Sequence, residues 1–418
     1  PQGFQITQLR HPIATGGCLP LTVPRTWKRG KGSAMNTFQR VVTIERIQIE
    51  QDSGKSNHTL AADATLVDLN RAGVGLLEIV TGPDLRSGAE AGAFLRALQR
   101  LLRHIGTCDG NMEEGSMRCD VNVSLRLGGD DSGAPMGQRV EMKNLNSVKS
   151  VMRAIEFEAE RQAAVLSQAG GAVEAETRSF DAATGVTAVL RSKEDAPDYR
   201  FFPDPDLLPV ELAPEYVGGV VATLPELPSQ MQARFVREYG LAAYDASVLV
   251  AEVGAGEFFE EVLTRQRAEA PSPKAACNIV VNNLFGLLKE SGGSLAGGSV
   301  PPAVVAELLD LLADGTISNK VAKDVLGMVV GGDGRPPGDI VASNGWSQIR
   351  DVGVLADLCQ AAVSDPAHAD MVAKYVGGNK RAFGFFVGKA LAASGGRADP
   401  ALLSALMKDA LGAVAGGR

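Results

Sequence analysis

The chain has 418 residues, 45% hydrophobic and 22% charged, with 41 Lys and Arg against 49 Asp and Glu and a formal charge of −8. It is too long for one compact domain and too apolar for a disordered or fibrous chain, so two or three domains with separate cores are expected. The acidic balance excludes a protein that grips nucleic acid with its whole surface, leaving only local basic patches for such contacts.

Five cysteines, at 18, 108, 119, 277 and 359, contain no C-x-x-C pair, which fits reduced thiols better than a disulfide framework or a zinc knuckle. No stretch approaches the roughly 18 apolar residues of a bilayer span, so no membrane-spanning helix is expected. The first residues, Pro1-Gln2-Gly3-Phe4, carry no initiator Met, signal-peptide core or transit pattern. A processed product or a missing N-terminus is the expectation.

Residues 1–222 read as mixed strand and helix. Val42, Ile44, Ile47 and Ile49 form short alternating segments whose phase slips once, as at a bulge. Leu76-Leu77-Glu78-Ile79-Val80 is an apolar run closed by the turn Gly82-Pro83-Asp84. A helix is predicted over 87–104, capped by Ser87 with Glu90 at the capping-box position and Phe94, Leu95, Leu98, Leu101 and Leu102 on one face. Cys119, Val121, Val123 and Leu125 alternate with Asp120, Asn122, Ser124 and Arg126 as a strand, and Glu141-Met142-Lys143-Asn144 belongs to another. A second helix is predicted at about 147–168. Strands with one apolar face and interspersed helices make this an α+β domain with an antiparallel sheet.

After residue 222 helical spacing takes over, with Met231, Phe235, Val236, Phe258, Phe259 and Val262. Ser291 to Pro302 is Gly/Ser/Pro-rich and reads as a linker. It divides a helical domain, 223–292, from a helical tail, 293–418, whose apolar positions include Leu308, Leu309, Leu402, Leu403, Leu406 and Leu411.

Polar residues occupy strand positions that could have been apolar. If the strands near 48–52, 76–80, 118–126 and 140–144 share one sheet, a single face collects Glu50, Asp52, Glu78, Asp120, Asn122, Glu141 and Lys143. So many carboxylates repel one another unless cations or hydrogen bonds intervene. Mg²⁺ bridging to nucleotide phosphates resolves this economically, because phosphates supply most of its oxygen ligands. An antiparallel sheet with one wet face has the same pattern, and alternation alone favours that plainer reading.

Met112-Glu113-Glu114-Gly115 places acids on a loop that presents side chains. Gly54-Lys55-Ser56 lacks the first glycine of a P-loop, since residue 49 is Ile; Lys55 is left as a phosphate contact in another fold. His58 and His104 stand alone without metal-ligand spacing, and no Ser-His, Ser-Lys or Cys-His arrangement supports a built-in hydrolase. Arg10, Arg25, Lys28, Arg29 and Lys31 fall in a segment without acids, and residues 371–418 hold seven Lys and Arg against two Asp. Lys374, Lys380, Arg381 and Lys389 are therefore candidate phosphate contacts, although charge runs are more often solvated faces.

At these segments the chain resembles the GatB family of tRNA-dependent amidotransferase subunits. The matching strings are Ile49-Glu-Gln-Asp-Ser-Gly-Lys55, Asp68-Leu-Asn-Arg-Ala-Gly-Val-Gly-Leu-Leu-Glu-Ile79, Met112-Glu-Glu-Gly-Ser-Met-Arg-Cys-Asp-Val-Asn-Val123, Glu141-Met-Lys-Asn-Leu-Asn146, Glu176-Thr-Arg178 and Asp198-Tyr-Arg-Phe-Phe-Pro203. Pro225-Glu-Leu-Pro228, Asp314-Gly-Thr-Ile-Ser318 and Gly384-Phe-Phe-Val-Gly388 continue the family order along nearly the whole chain.

The resemblance implies a kinase-like cradle domain in 1–222, a helical domain in 223–292 and a YqeY-like, tRNA-binding tail in 293–418. It further implies two partners in a GatCAB heterotrimer, an amidase subunit and a small third subunit. Its chemistry is ATP- and Mg²⁺-dependent activation of the side-chain carboxylate of Glu-tRNA(Gln), followed by attack of ammonia supplied by the amidase; many members treat Asp-tRNA(Asn) likewise. Carried onto this sequence, Glu78, Lys143, Asp120 and Glu141 are the catalytic candidates. Glu50, Asp52 and Glu78 are those for Mg²⁺, and Lys55, Arg118 and Asn144 those for phosphate or substrate.

Two departures stand out. Family members usually begin with a further segment containing a strand with a Glu-x-His pair at the metal site, so this chain reads as lacking the N-terminal part of its cradle. The family also commonly has Glu-Glu-Asp where this chain has Glu50-Gln51-Asp52. Gln51 and Arg71-Ala-Gly-Val-Gly75 resemble organellar forms and imply a mitochondrial protein, with plastid and bacterial cytoplasm as alternatives. A noncatalytic tRNA-binding or assembly scaffold of the same complex is the competing function. The archaeal-type subunit is disfavoured, because no inserted domain fits between Pro203 and Pro225.

Overall fold

A computed structural model describes residues 8, 11–24, 37–58, 60, 63–126, 128, 133–192, 206, 208–267, 272–379 and 381–416. The chain forms two compact units, Pro1–Leu227 and Pro228–Arg418. The first contains strands β1 (Ala14–Pro24), β2 (Thr37–Gln51), β3 (Lys55–Asn57), β4 (Leu66–Asp68) and β5 (Gly75–Thr81), then helix α1 (Gly88–His104). Strands β6 (Val121–Val123) and β7 (Val140–Lys143), helix α2 (Val148–Leu166), strands β8 (Glu176–Phe180) and β9 (Thr187–Ser192), and helix α3 (Pro214–Thr223) follow.

The single sheet expected from alternation is replaced by separate ones. β1-β2-β5 form an antiparallel three-stranded sheet, β3-β4 a ribbon, and β6-β7-β8-β9 a sheet in which β7 and β8 run parallel. Between β5 and β6 the chain is taken up by α1, whose Phe94, Leu95 and Leu98 enter the core with Val151 and Ala154 of α2. That core also receives Leu21, Val23 and Val42 from the first sheet and Val123, Met142 and Phe180 from the second. The two sheets therefore meet through apolar side chains rather than edge to edge, which alternation within each strand cannot reveal.

The phase slip in β2 is a bulge, with the register against β5 shifting between Ile44 and Arg46. One inserted residue reverses the alternation. Val42 and Ile44 pack on the core before it; beyond it Ile47 lies opposite Ile79, which also packs there, and Arg46, Gln48 and Glu50 take the other face.

Both predicted helices appear, the first with its predicted cap Ser87 and the second with Ser147 in the same role. Ser87 accepts from the Glu90 amide and Ser147 from the Ser150 amide. Glu90 departs from a capping box, because its carboxylate accepts from the Arg86 amide and from Arg40. The first unit reaches past α3 to Leu227, and the His104 ring bonds the Glu226 carbonyl at 2.8 Å within it.

The second unit is helical: α4 (Pro228–Tyr239), α5 (Ala243–Leu249), α6 (Ala255–Arg265), α7 (Pro273–Ile279), α8 (Phe285–Ser291), α9 (Pro302–Ala313), α10 (Asn319–Val330), α11 (Pro337–Asn344), α12 (Val352–Ser364), α13 (Ala369–Val376), α14 (Arg381–Ala393) and α15 (Pro400–Gly416). A π-helical turn, Val280–Leu284, joins α7 to α8. One buried cluster runs from Met231 to Val341 and another from Leu355 to Leu411. The first cluster continues across the Gly/Ser/Pro segment and includes Val300, so this stretch packs on a core rather than acting as a free linker. Among the described residues, no helix is long and apolar enough to cross a membrane.

Candidate active site

Beyond its bulge, β2 aligns Arg46, Gln48 and Glu50 on one face, and the register sets Glu78 opposite Gln48. Gln48 is only 3% exposed. Its Nε2 donates to Glu50 Oε1 at 2.9 Å and to Glu78 Oε2 at 2.6 Å, while its Oε1 accepts from Arg46 Nε at 3.0 Å. The Glu78 carboxyl is pushed up to about 6 by burial, then by the hydrogen bond and charge of Glu50, with Asp120 adding and Arg46 opposing. Because Glu78 as a residue remains exposed, the crowding of carboxyls is the cause we weight most.

The second sheet contributes a cation. β7 alternates Val140 and Met142 into the core and Glu141 and Lys143 away from it. Lys143 Nζ lies 2.6 Å from Asp120 Oδ2 and 3.5 Å from Glu141 Oε1. Burial alone lowers the affinity of this amine for its proton, but Asp120 and Glu141 outweigh it and the net shift is upward, so Lys143 stays charged. Thr177, fully buried on β8, donates to Glu141 Oε2 at 2.9 Å. Asn122 lies opposite Glu141 in the β6–β7 ladder. Burial and then Asp120 push the neighbouring Cys119 thiol up to about 12, which keeps it neutral and a poor nucleophile.

Behind this face, α2 supplies Glu158, which is 0% exposed. Arg161 holds it through two hydrogen bonds of 2.9 and 2.8 Å, and Gln162 donates to it at 2.8 Å and to the Val123 carbonyl at 3.1 Å. Arg178 on β8 lies 3.8 Å from Glu158 and 2.7 Å from Glu176. This network fastens α2 to β6 and β8, the two strands that flank Glu141 on β7.

The remaining predicted residues fall elsewhere. Asp52, past the end of β2, is engaged by Arg71 at 3.3 Å and Arg118 at 3.1 Å, while Gln51 alternates away from Glu50. Lys55 is exposed on the ribbon opposite Asp68. Asn144 directly follows β7 with φ 63°, the one non-glycine residue with positive φ among those described, and its amide donates to the Phe180 carbonyl at 3.3 Å. The 112–115 loop presents Glu113 and Glu114, but Met112 is buried in the core. Lys374 on α13 and Arg381 and Lys389 on α14 are exposed, Lys389 lying 5.5 Å from the Phe385 ring. Lys380, Arg10, Arg25, Lys28, Arg29, Lys31 and the 198–203 string lie outside the described residues.

Sequence reasoning missed Gln48, Thr177 and Glu158. Gln48 had a usable signal, sharing the strand parity of Glu50; the other two depend on partners remote in sequence.

Among the described residues no three or more His, Cys, Asp or Glu side chains converge into an all-protein metal cage. The Glu50–Glu78 pair, two hard oxygen donors whose mutual repulsion a cation relieves, fits Mg²⁺ that takes its other ligands from phosphate and water.

The fold and site thus define an α+β carboxylate-lined domain followed by helical domains. A family model described as the GatB/GatE catalytic domain matches residues 1–218, and one described as the GatB domain matches 257–411. The chain belongs to the GatB family. It is 43% identical over 462 residues to the B subunit of the mitochondrial glutamyl-tRNA(Gln) amidotransferase of Phytophthora infestans, covering 98% of this chain and 80% of that protein. It is 45% identical over 412 residues to the B subunit of the aspartyl/glutamyl-tRNA(Asn/Gln) amidotransferase of Granulibacter bethesdensis, covering 99% and 80%. To that of Rhizorhabdus wittichii it is 46% identical over 413 residues, covering 99% and 81%.

Proposed function

We propose that the chain is the activating subunit of a tRNA-dependent amidotransferase that converts Glu-tRNA(Gln) to Gln-tRNA(Gln), and Asp-tRNA(Asn) to Asn-tRNA(Asn) where that substrate is presented. The observation that carries this reading is the Glu50–Gln48–Glu78 cluster, with Asp120 beside it and Lys143 held by Asp120 and Glu141. A carboxylate is a poor acyl donor. Its oxygen attacks the γ-phosphorus of ATP, ADP leaves, and the acyl phosphate then loses inorganic phosphate to ammonia. Mg²⁺, when bound at Glu50 and Glu78, would offset the negative charge that ATP brings to the carboxylates.

The protein's own groups orient this exchange. Lys143, kept charged between two acids, is poised to attract a phosphoryl oxygen, and Thr177 fixes the Glu141 carboxylate that holds it. Arg118, which pairs with Asp52, and Asn144, in its left-handed conformation next to Lys143, are assigned to orient substrate, and Lys55 is kept as an outer phosphate contact. Lys374, Lys380, Arg381 and Lys389 in the YqeY-like tail, 293–418, are assigned to tRNA phosphates. Ammonia comes from a separate amidase subunit, with a small third subunit completing the heterotrimer, and a mitochondrial location is the assignment that the mitochondrial relative from Phytophthora infestans supports.

The test is phosphate release by the full chain with its partner subunits, dependent on both ATP and Glu-tRNA(Gln). A noncatalytic scaffold would bind tRNA and release none, and that result would sink the reading.

A further inference from the structure

We propose that Gln48 is a positioning residue that holds Glu50 and Glu78 together as a two-carboxylate seat for a divalent cation; this rests on the cation reading above. Its amide orientation is dictated by its neighbours. Arg46 can only donate, so the atom it meets at 3.0 Å is the Gln48 carbonyl oxygen. The amide nitrogen then faces both carboxylates, at 2.9 and 2.6 Å. The flipped amide would set its oxygen against two carboxylates and its NH₂ against a guanidinium, so no alternative satisfies the site.

Two ionised carboxylates this close repel, and a donor shared between them offsets that repulsion. A neutral amide draws both inward and adds no charge. Outer hydrogen bonds of this kind orient metal-binding carboxylates. The setting is rigid: Gln48 is 3% exposed and sits opposite Glu78 in a paired ladder rather than on a loop. A Glu at this position would add a third negative charge, and an apolar residue would leave the carboxylates without their shared donor.

The experiment uses Mn²⁺ as the probe, added to the full chain without nucleotide, with bound ion read from the loss of the free-ion EPR signal. Gln48→Met preserves length and removes the amide, and should weaken Mn²⁺ binding by roughly 10- to 100-fold. Gln48→Asn keeps the amide but withdraws it by one methylene, and should fall between that variant and the parent. Circular dichroism checks folding, and if Gln48→Met does not fold, Gln48→Asn carries the test alone.

A folded Gln48→Met that binds Mn²⁺ within about threefold of the parent overturns the proposal, as does, where only Gln48→Asn folds, a Gln48→Asn that binds as the parent does. A purely structural Gln48 would show that result together with a lowered thermal midpoint. Glu78→Gln, measured in parallel, separates the two readings. If it weakens Mn²⁺ binding and Gln48→Met does not, only the role of Gln48 fails; if it leaves Mn²⁺ binding unchanged, the cation reading fails and this proposal with it.

Discussion

Glu78→Gln should stabilise the chain while abolishing amidation. Burial and the adjoining Glu50 raise the Glu78 carboxyl from 4.5 to about 6, so the native state holds this proton more tightly than the unfolded chain does. The group's contribution is therefore fully favourable below pH 4.5 and is lost as pH rises through 6. At neutral pH the ionised pair costs about 2 kcal/mol at full strength, which we halve to about 1 kcal/mol because Glu78 is exposed and water screens it. An amide removes one charge and still offers an oxygen to Gln48. Urea denaturation of parent and variant in parallel should give a gain of about 1 kcal/mol at pH 7.5 that disappears near pH 4.5. A loss of stability at pH 7.5, or a difference that does not change with pH, would refute the reasoning. A gain in stability with loss of turnover is the pattern expected where like charges are held together for function.

Glu158→Ala removes a fully buried carboxylate that Arg161 grips with two hydrogen bonds, and should cost about 3 kcal/mol in urea denaturation; a loss near zero would show that Arg161 and Arg178 are satisfied by Glu176 alone. Ser147→Ala deletes the acceptor for the Ser150 amide at the start of α2 and should lower stability by about 1 kcal/mol, with Ser147→Asp restoring it. Replacing Lys374, Arg381 and Lys389 together with Ala should weaken tRNA binding without regard to anticodon and flatten the dependence of log K on log salt by about 2 to 3; an unchanged slope, measured by filter binding, places the tRNA elsewhere.

The features legible in the sequence were those set by near neighbours. Ser87 announced the start of α1 because a hydroxyl before a periodic apolar run caps the free amides, and Ser147 does the same for α2. The β2 bulge was visible as a break in parity between Ile44 and Ile47. Glu50 and Glu78 were recognisable as a pair of acids on strands, and they do meet. What remained hidden was set at long range. Alternation assigns each strand two faces but not a neighbour, so the split into two sheets could not be read. Glu158, on a helix otherwise suited to a wet face, is buried because Arg178 arrives from β8, a contact that helical spacing does not contain.

The two sheets also explain how one surface carries both signs of charge without neutralising itself. The acidic half, Glu50 and Glu78, stands on the β2–β5 ladder, and the cationic half, Lys143, stands on β7. Neither ladder fixes the separation between them. That falls to the common core, where Val42 from one sheet and Met142 from the other are both fully buried in one cluster with residues of α1 and α2. Because β7 alternates, Met142 is anchored in that core while Glu141 and Lys143 on either side of it reach the site. A change of volume at Met142 is therefore felt one residue away at Lys143, so packing and electrostatics at this site cannot be varied independently.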